Sequence, residues 1–350
     1  MKNDLYLGND VGKKISVLFA VDKQTGEIVL DARRMQTNNM EEWRKLLAGL
    51  REKYVLHLAF EVGPHYDWMY DLFKEFAAEV VVVNAALFGV ITKSHKKTDK
   101  VDARKLAEGL LRGDLPDVCV PDKETRADRR LVSFVHYSSQ QLSSLKGRLR
   151  GLLQTFRLEC PQTNILSKSA TQWLKEKARP QLDEDGQMVL DMLLEQAALL
   201  RQHRAQLDGK VKERVQRYSD AATLRSVPGF GPLVSLAVLC AVAGVSRFKQ
   251  PRQLSSYLGV CNGVRQSGQG LAFTGLTKAG NPHVRWLLAQ ALLHVLRKDP
   301  KARARYLKLK RRKGSGVARG AMLRWLTIIL WHVLTKHEAY RLAGKQQKGA

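Results

Sequence analysis

The chain has 350 residues and a formal net charge of +26, from 59 lysine and arginine residues against 33 aspartate and glutamate residues. That length allows about two domains with cores of their own, and such an excess of positive charge indicates a polyanionic partner, nucleic acid above all. Basic residues occur throughout the chain, whereas a membrane-surface protein more often confines them to one amphipathic segment.

The cysteines and the apolar runs further limit the class of protein and its compartment. The cysteines are far apart, without CxxC spacing or the rhythm of a disulfide framework, so we expect plain thiols and no zinc site. They are Cys119, Cys160, Cys240 and Cys261. The N-terminal residues lack a signal core, and the longest mainly apolar run, 233–245, is too short to span a bilayer. We therefore expect a soluble cytoplasmic protein with no membrane partner.

Residues 1–120 predict a mixed sheet with helices. Short apolar segments broken by turn residues fit three strands joined by hairpins, at 5–7, 15–21 and 28–30. The periodicity then predicts, in order, a helix at 40–53, a strand at 55–60, a helix at 66–76, a strand at 80–83, a short helix near Ala85 and a helix that begins at Thr98. This is the element order of a ribonuclease-H-like sheet, as in RuvC.

Two acidic residues stand at strand ends in this order. Asp10 ends the first strand and Glu61 the fourth. In the predicted topology these strands are neighbours and the last helix packs across the same face, so both carboxylates could converge with Asp99 and Asp102. Four carboxylates in one cleft would repel one another unless a metal ion neutralised them. A turn aspartate would also explain Asp10, whereas an acid directly after a buried strand, as Glu61 is, needs a partner or water.

The stretch 94–103, Ser-His-Lys-Lys-Thr-Asp-Lys-Val-Asp-Ala, has two interpretations. Asp99 and Asp102 would share one helix face, where they could hold a divalent metal ion while neighbouring lysines attract a phosphate backbone. Those lysines are Lys96, Lys97 and Lys100. Alternatively, Thr98 or Asp99 caps the helix, and the acids of the first turn favour the positive end of its dipole.

Residues 121–218 predict a helical arm. From 122 to 158, and again from about 186 to 218, the pattern is long, charged and helical, with Pro161 and Pro180 interrupting it. Leucines recur at the spacing of a packing seam. We expect two long helices folded back as a coiled coil, whose seam could form a dimer contact.

Residues 219–340 predict a helical C-terminal domain. The segment Val-Pro-Gly-Phe-Gly-Pro at 227–232 leads into an apolar helix at 233–243. It has the form of a helix-hairpin-helix element, in which Gly229 and Gly231 would let backbone amides approach a phosphate. An ordinary tight turn with proline at the first helical position explains the same residues.

A mobile polar loop is predicted at 260–270, after a helix at 248–259, because the segment is rich in glycine and serine. It contains Ser267, and a lone Ser-Gly in such a loop is structural more often than catalytic. Thr277-Lys278-Ala279-Gly280-Asn281 and a helix follow.

The segment 301–319 contains many basic residues and no acid. A solvated charge run is the usual explanation, but Tyr306, Gly314 and Gly316 among the charges suit a nucleic-acid contact without base readout. A core helix at 322–334 and a disordered tail at 341–350 complete the prediction. The candidate nucleic-acid-binding residues are Lys97, Lys100, Gly229, Gly231, Lys278, Lys308, Lys310, Arg311, Arg312 and Lys313.

Taken in order, these motifs resemble one family. They are Asp10 in Gly-Asn-Asp-Val-Gly-Lys-Lys, Glu61 after an apolar strand, Lys-Thr-Asp-Lys-Val-Asp-Ala, Val-Pro-Gly-Phe-Gly-Pro, and Gln-Ser-Gly before Thr-Lys-Ala-Gly-Asn-Pro. Each motif alone is weak. The ordered set, which covers most of the chain, is similar to the Piv-type, or DEDD, transposases of bacterial insertion sequences, the group described as bridge-RNA-guided serine recombinases.

The resemblance implies residue roles. Asp10, Glu61, Asp99 and Asp102 match the family's RuvC-like acidic tetrad, which binds Mg²⁺, with Mn²⁺ as the alternative ion. Ser267 matches the serine that attacks the DNA phosphate. By that analogy Ser267 would form a transient phosphoserine bond to one cut end while the metal polarises the phosphate or stabilises the leaving oxygen. Rejoining would then need no ATP.

The resemblance also implies partners. The family acts as an oligomer, here a dimer or tetramer, with a noncoding bridge RNA that pairs with donor and target DNA. A bacterial cytoplasmic protein associated with the nucleoid is expected.

Two other functions compete with recombination. A RuvC-like nuclease or resolvase would hydrolyse DNA with metal-activated water and leave Ser267 as a loop residue. A non-catalytic DNA-binding protein would act through its charge alone, but it would gain nothing from four carboxylates in a basic cleft.

Overall fold

The computed structural model describes residues 2–84, 87, 98–267 and 270–341. It divides into two compact units, Met1–Pro121 and Asp122–Ala350. The further division of the second unit into an arm and a C-terminal domain remains a prediction. The predicted helix near Ala85 and the tail after Arg341 lie outside the described residues.

The first unit is built on a five-stranded mixed sheet with the order β3-β2-β1-β4-β5. Its strands are β1 Asn3–Val11, β2 Ile15–Asp22, β3 Ile28–Gln36, β4 Tyr54–Glu61 and β5 Glu79–Val83. β1 pairs antiparallel with β2 and parallel with β4, so the predicted adjacency of the first and fourth strands is confirmed. Its described helices are α1 Met40–Lys53, α2 Tyr66–Phe76 and α3 Asp99–Arg112, and the first two have the predicted bounds.

Side chains of β1 alternate between two cores because successive strand residues point to opposite faces. Leu5 and Leu7 are fully buried in a cluster with Trp43 of α1 and Phe73 of α2. Tyr6 belongs to a cluster on the other face, with residues of α3. The sheet therefore has α1 and α2 on one side and α3 on the other.

α3 crosses β1 at Gly8 in direct contact with the strand. A Cβ atom at Gly8 would lie 2.0 Å from the carbonyl oxygen of Ala103 and 2.5 Å from the amide nitrogen of Ala107. Only glycine permits this approach. Tyr6, two residues earlier on β1, belongs to the same buried cluster as Leu106 and Leu110 of α3. The start of α3 lies near β3, where Lys100 pairs with Asp31, so the helix crosses this face of the sheet.

Two long helices, α4 Lys123–Thr155 and α6 Glu184–Val215, open the second unit, as predicted. Between them lie α5 Lys168–Trp173, a π-helical turn Leu174–Ala178 and a 3-10 turn Arg179–Gln181, which contains Pro180. The long helices share a buried cluster that includes Leu145, Leu149, Leu153, Leu190, Leu193 and Leu194. Their coiled-coil geometry remains a prediction.

The rest of the second unit is mostly helical. Its elements are α7 Ala221–Leu224, α8 Pro232–Val242, a 3-10 turn Val245–Arg247, α9 Pro251–Tyr257, β6 Asn262–Ser267, β7 Gly270–Leu276, α10 Pro282–Lys298 and α11 Pro300–Lys336. The predicted helix at 248–259 is shorter than expected because Pro251 occupies its first turn. A single core contains residues of α4, α6 and every helix from α7 to α11.

The predicted loop at 260–270 is wrong, since β6 and β7 form an antiparallel hairpin. Two short segments separated by Gly268-Gln269 carry the signal of a two-residue hairpin connection. The glycine and serine content concealed that signal.

The basic run and the tail helix belong to one element, α11, whose backbone is non-helical at Gly314, with φ 80° and ψ 167°. By length and composition α11 passes the test for a membrane span, although the sequence predicted no run long enough. In its apolar half Met322, Leu326, Leu330 and Leu334 are buried in the core, and 39% of the apolar window as a whole is buried. That packing explains part of its apolar composition.

Candidate acidic site and nucleic-acid surfaces

The strand register places Asp10 beside Glu61. In the parallel pair Asn9 is aligned with Phe60, so the next residues, Asp10 and Glu61, are neighbours at the carboxyl-terminal edge of the sheet. Both are partly exposed. Because side chains alternate, Asp10 shares the face of Gly8, which is the face that α3 covers.

The other two acids occupy the first turn of α3. Thr98 caps this helix, and its Oγ1 accepts a hydrogen bond from the Val101 amide at 3.4 Å. Asp99 precedes Ala103 by four residues, and Asp102 precedes Leu106 by four. By this spacing both acids lie one turn before the buried stripe of the helix, with Asp99 exposed and Asp102 half-buried. The capping interpretation is confirmed for Thr98.

Asp10 and Glu61 are neighbours at one edge of the sheet. Asp99 and Asp102 lie in the first turn of α3, just before the crossing of β1 at Ala103. Four carboxylates supply the oxygen ligands that Mg²⁺ prefers. Among the described residues, however, no three His, Cys, Asp or Glu side chains stand close enough to hold a metal ion. The donor types fit a divalent ion, but drawing three carboxylates together requires a cation to offset their repulsion.

Asn9, between Gly8 and Asp10, is fully buried on the opposite face. Its Nδ2 lies 3.9 Å from Met69 Sδ, and its Oδ1 has no hydrogen-bond partner among the described residues. Asn9 therefore contributes polarity to the α2 side of the sheet and not to the acidic edge.

Lys100, which lies next to the acids, forms an exposed ion pair. Lys100 Nζ lies 2.7 Å from Asp31 Oδ2 of β3, and both side chains are about half exposed. Such exposed pairs contribute little to stability, so Lys100 can exchange Asp31 for a phosphate at small cost. Lys97 lies outside the described residues.

The two glycines before α8 have different roles. Gly229 has φ 89°, and a Cβ atom there would lie 2.9 Å from Ala291 O and 2.9 Å from His294 Cβ of α10. Close packing and backbone geometry therefore both require this glycine. At Gly231, which caps α8 ahead of Pro232, the Cβ position is open. The tight turn with proline at the first helical position is confirmed, and a phosphate contact here remains a prediction.

Ser267 is the last residue of β6, and its backbone is aligned with Gly270 of β7. Lys278, in the turn between β7 and α10, is exposed with φ 56°, and its amide donates to Gly259 O at 3.1 Å. A Cβ atom at Gly280 would lie 2.2 Å from Tyr257 O. The turn that carries Lys278 is therefore held tightly against the end of α9.

The basic run lies on the first half of α11, where Lys308, Lys310, Arg311, Arg312 and Lys313 are all exposed. In the described part of the chain none of them forms an ion pair with an acid. The sequence has one acid between Asp220 and Glu338, which is Asp299. Asp299 is only 4% exposed, caps α11 through the amides of Lys301 and Ala302, and accepts a hydrogen bond from Tyr340. The positive potential of this surface is thus unopposed by any exposed carboxylate within 221–337.

Removing charge from α11 is expected to weaken binding to nucleic acids of any sequence. The variant Arg311→Gln/Arg312→Gln should lower the slope of log K against log salt by about 0.9 for each duplex phosphate that the protein no longer neutralises. Titrations at several salt concentrations measure this slope. The matched control is Lys175→Gln/Lys177→Gln, which removes two exposed charges elsewhere. An unchanged slope in the α11 variant would show that these basic residues do not contact the nucleic acid.

Sequence analysis missed one cluster, formed by His136 of α4 with His283 and Trp286 of α10. No sequence pattern links residues so far apart, and only the packing of α4 beside α10 brings them together. By contrast, the scarcity of acids after Asp220 is visible in the sequence. It predicts a polyanion-binding surface in this region.

The order of the mixed sheet, with acids at the ends of β1 and β4 and at the start of α3, defines a RuvC-like domain of the DEDD transposase class. A model of the IS110-type DEDD domain, described as "Transposase", matches residues 7–157. A second, described as "Transposase IS116/IS110/IS902 family", matches residues 221–307. The chain belongs to the IS110/IS116/IS902 family of transposases.

Similar proteins agree with this assignment. The transposase for insertion sequence element IS1111A of Coxiella burnetii is 24% identical over 351 residues, 97% of this chain and 92% of that protein. Putative transposase y4qE of Sinorhizobium fredii is 28% identical over 238 residues, 67% of this chain. The matched region is 57% of y4qE, so the chain spans little more than half of that relative. The IS900 uncharacterized 42 kDa protein of Mycobacterium paratuberculosis is 30% identical over 142 residues, 39% of this chain and 35% of that protein.

Proposed function

We propose that this protein is an insertion-sequence transposase that cuts DNA at the ends of its element and at a target site and rejoins the strands. Family membership supports the reaction class. The observation that carries the proposal is the register that makes Asp10 and Glu61 neighbours at the ends of β1 and β4, on a sheet covered by a helix, α3, that begins with Asp99 and Asp102. A protein that acted through positive charge alone would have no use for acids there.

In this proposal the four carboxylates hold a divalent metal ion, Mg²⁺ or alternatively Mn²⁺. The bound ion supplies charge stabilisation to the phosphate under attack. The close crossing at Gly8 supports this assignment because it sets the depth at which α3 presents Asp99 and Asp102. Lys100, on the same turn, is placed to attract the phosphate backbone.

Ser267 is the proposed nucleophile. Its Oγ forms a bond to phosphorus, the bond from phosphorus to the leaving strand breaks, and the proton of the hydroxyl passes to the departing oxygen. The phosphoserine bond retains the energy of the broken phosphodiester, so rejoining needs no ATP. Ser267 is the last residue of β6, and residues that act on a substrate are common where a strand ends.

The proposed partners are the DNA of the element ends and target, a noncoding bridge RNA, and further copies of the chain in a dimer or tetramer. The net charge of +26 and the acid-free exposed surface within 221–337 support a nucleic-acid partner, and duplex DNA and RNA satisfy them equally. The protein would act in the bacterial cytoplasm, associated with the nucleoid.

One observation favours a second candidate, a metal-dependent nuclease or resolvase without a covalent intermediate. The backbone of Ser267 is paired with that of Gly270, which gives the residue a structural reason to be present. In that reaction water attacks the phosphate and the DNA ends are released free.

A covalent-adduct experiment separates the two functions. Purified protein is incubated with Mg²⁺, labelled DNA carrying the element ends, and RNA transcribed from the element's noncoding flank, and is then denatured. We expect label to migrate with the protein, and we expect Ser267→Ala to abolish that adduct. The control Ser256→Ala changes an exposed serine of α9 and should leave the adduct intact.

Cleaved DNA without an adduct, unaffected by Ser267→Ala, would contradict the serine mechanism. That result would assign the protein to the nuclease class and leave the second unit with a DNA-binding role. An adduct of equal yield in wild type and Ser267→Ala would instead assign the nucleophile to another residue.

A further inference from the structure

An aromatic cluster with an exposed face lies outside the proposed catalytic residues. The His136 ring of α4 lies 3.7 Å from the His283 ring of α10, centroid to centroid, at an interplanar angle of 39°. The Trp286 ring contacts the same His136 ring edge to face, at 5.6 Å and 70°. Trp286 is 48% exposed. The three rings form one surface, with an indole as its most exposed part.

Neighbouring residues fix the cluster in place. Val135 on α4 is fully buried and Val284 on α10 is 2% exposed, so both helices are anchored directly beside the histidines. The Asn281 side chain caps α10 and accepts a hydrogen bond from the His283 amide at 2.8 Å. The packing of both helices therefore restricts the Trp286 side chain before a ligand binds. The side chain loses little conformational entropy when a ligand stacks on it.

The environment of His136 favours its neutral form. Burial, and next the nearby His283, lower the pKa of His136 from its ordinary value. A neutral imidazole can therefore lie against the indole without the cost of a buried charge. The result is an aromatic cluster with one exposed indole, within a region that is otherwise basic.

The surrounding charge favours a polyanion over protein as the occupant. Within 221–337 the one acid, Asp299, is buried, so a second copy of this surface would meet it with like charge. Lys278 is exposed in the turn before α10, and Arg297 is exposed on the Trp286 side of that helix. The distance from Trp286 to Arg297 along the helix is about 16 Å, within reach of a few nucleotides of one strand.

We propose that Trp286, supported by His136 and His283, is a stacking platform for an unpaired base of the bound nucleic acid. The chemical class of the ligand is a single-stranded nucleotide, with its base on the indole and its phosphates near Lys278 and Arg297. Every base has a flat π face, so the platform is tolerant of sequence. This inference rests on the proposed function only in that the chain binds nucleic acid, and it requires no cleavage.

The test compares two fluorescently labelled single strands of equal length, one with bases and one fully abasic, both without divalent metal. In Trp286→Ala the affinity for the base-bearing strand is expected to fall about five- to hundredfold, while the affinity for the abasic strand stays within about twofold. Trp286→Phe retains a ring and should recover most of the loss. Leu307→Ala, which shortens an exposed aliphatic side chain on α11, is the matched control.

Several outcomes would overturn the platform. Equal losses on both strands would assign Trp286 to phosphate binding or to the fold, and a lower melting temperature would identify the second case. Unchanged binding together with weaker self-association in sedimentation would assign Trp286 to contact with a second copy. Both strands are bound without divalent metal and no cleavage is measured, so failure of the proposed cleavage chemistry would leave this result unaffected.

Discussion

Asp99→Ala or Asp102→Ala is expected to reduce DNA strand cleavage by at least about a hundredfold while nucleic-acid binding is retained or strengthened. Each change removes one proposed metal ligand from the first turn of α3, and the loss of one group that stabilises developing charge commonly costs about 10²- to 10³-fold. Binding should not weaken, because one negative charge fewer reduces the repulsion of phosphate. Cleavage and Kd are measured on the same DNA.

Glu108→Ala is the matched control for the acidic site. Glu108 lies on the same helix as Asp99 and Asp102 but pairs with Arg104 at 2.7 Å, partly exposed, and such a pair contributes at most about 1 kcal/mol. Its loss should leave cleavage close to wild type. Wild-type cleavage in Asp99→Ala or Asp102→Ala would remove that residue from the site and favour its role at the helix start alone.

Gly8→Ala should destabilise the first unit by about 3 kcal/mol or more and reduce cleavage with it. The new methyl group would meet two backbone atoms of α3, the Ala103 oxygen and the Ala107 nitrogen. Backbone atoms of a packed helix cannot rotate away as a flexible side chain can, so α3 must shift from the sheet. That shift would carry Asp99 and Asp102 away from Asp10. Thermal unfolding and cleavage assays measure the two effects.

Gly49→Ala is the control for Gly8→Ala. Gly49 lies inside α1, and a Cβ atom there would meet nothing within 4 Å. Because alanine is the better helix former, this variant should gain about 0.5–1 kcal/mol in unfolding free energy. A melting temperature of Gly8→Ala equal to that of the wild type would show that α3 does not cross β1 as closely as described.

Most local structure of the first unit followed from the sequence. The bounds of α1 and α2 were predicted to the residue, because the apolar periodicity and the flanking turn residues act within a few positions. Thr98 was among the predicted caps of α3 for the same reason. The order of strands and helices then indicated the mixed sheet, since few topologies accommodate that order.

The sequence-based prediction of structure failed where one local pattern is compatible with two conformations. Glycine and serine at 260–270 indicated a loop, whereas the backbone forms the hairpin of β6 and β7. Gly-Gln at 268–269 was the competing signal. The basic run and the apolar tail differ in composition, yet they form a single helix, α11, with a break at Gly314.

The sequence by itself determined the class of partner, the position of each acid on its strand or helix, and the family. It did so because charge, periodicity and capping are properties of neighbouring residues. Only the tertiary structure decided that Gly8 lets α3 approach β1, that Gly229 serves packing against α10 while Gly231 is open, and that Trp286 rests on His136. Each of these contacts joins residues that are far apart in the sequence. Only the packing of the folded chain brings their atoms together.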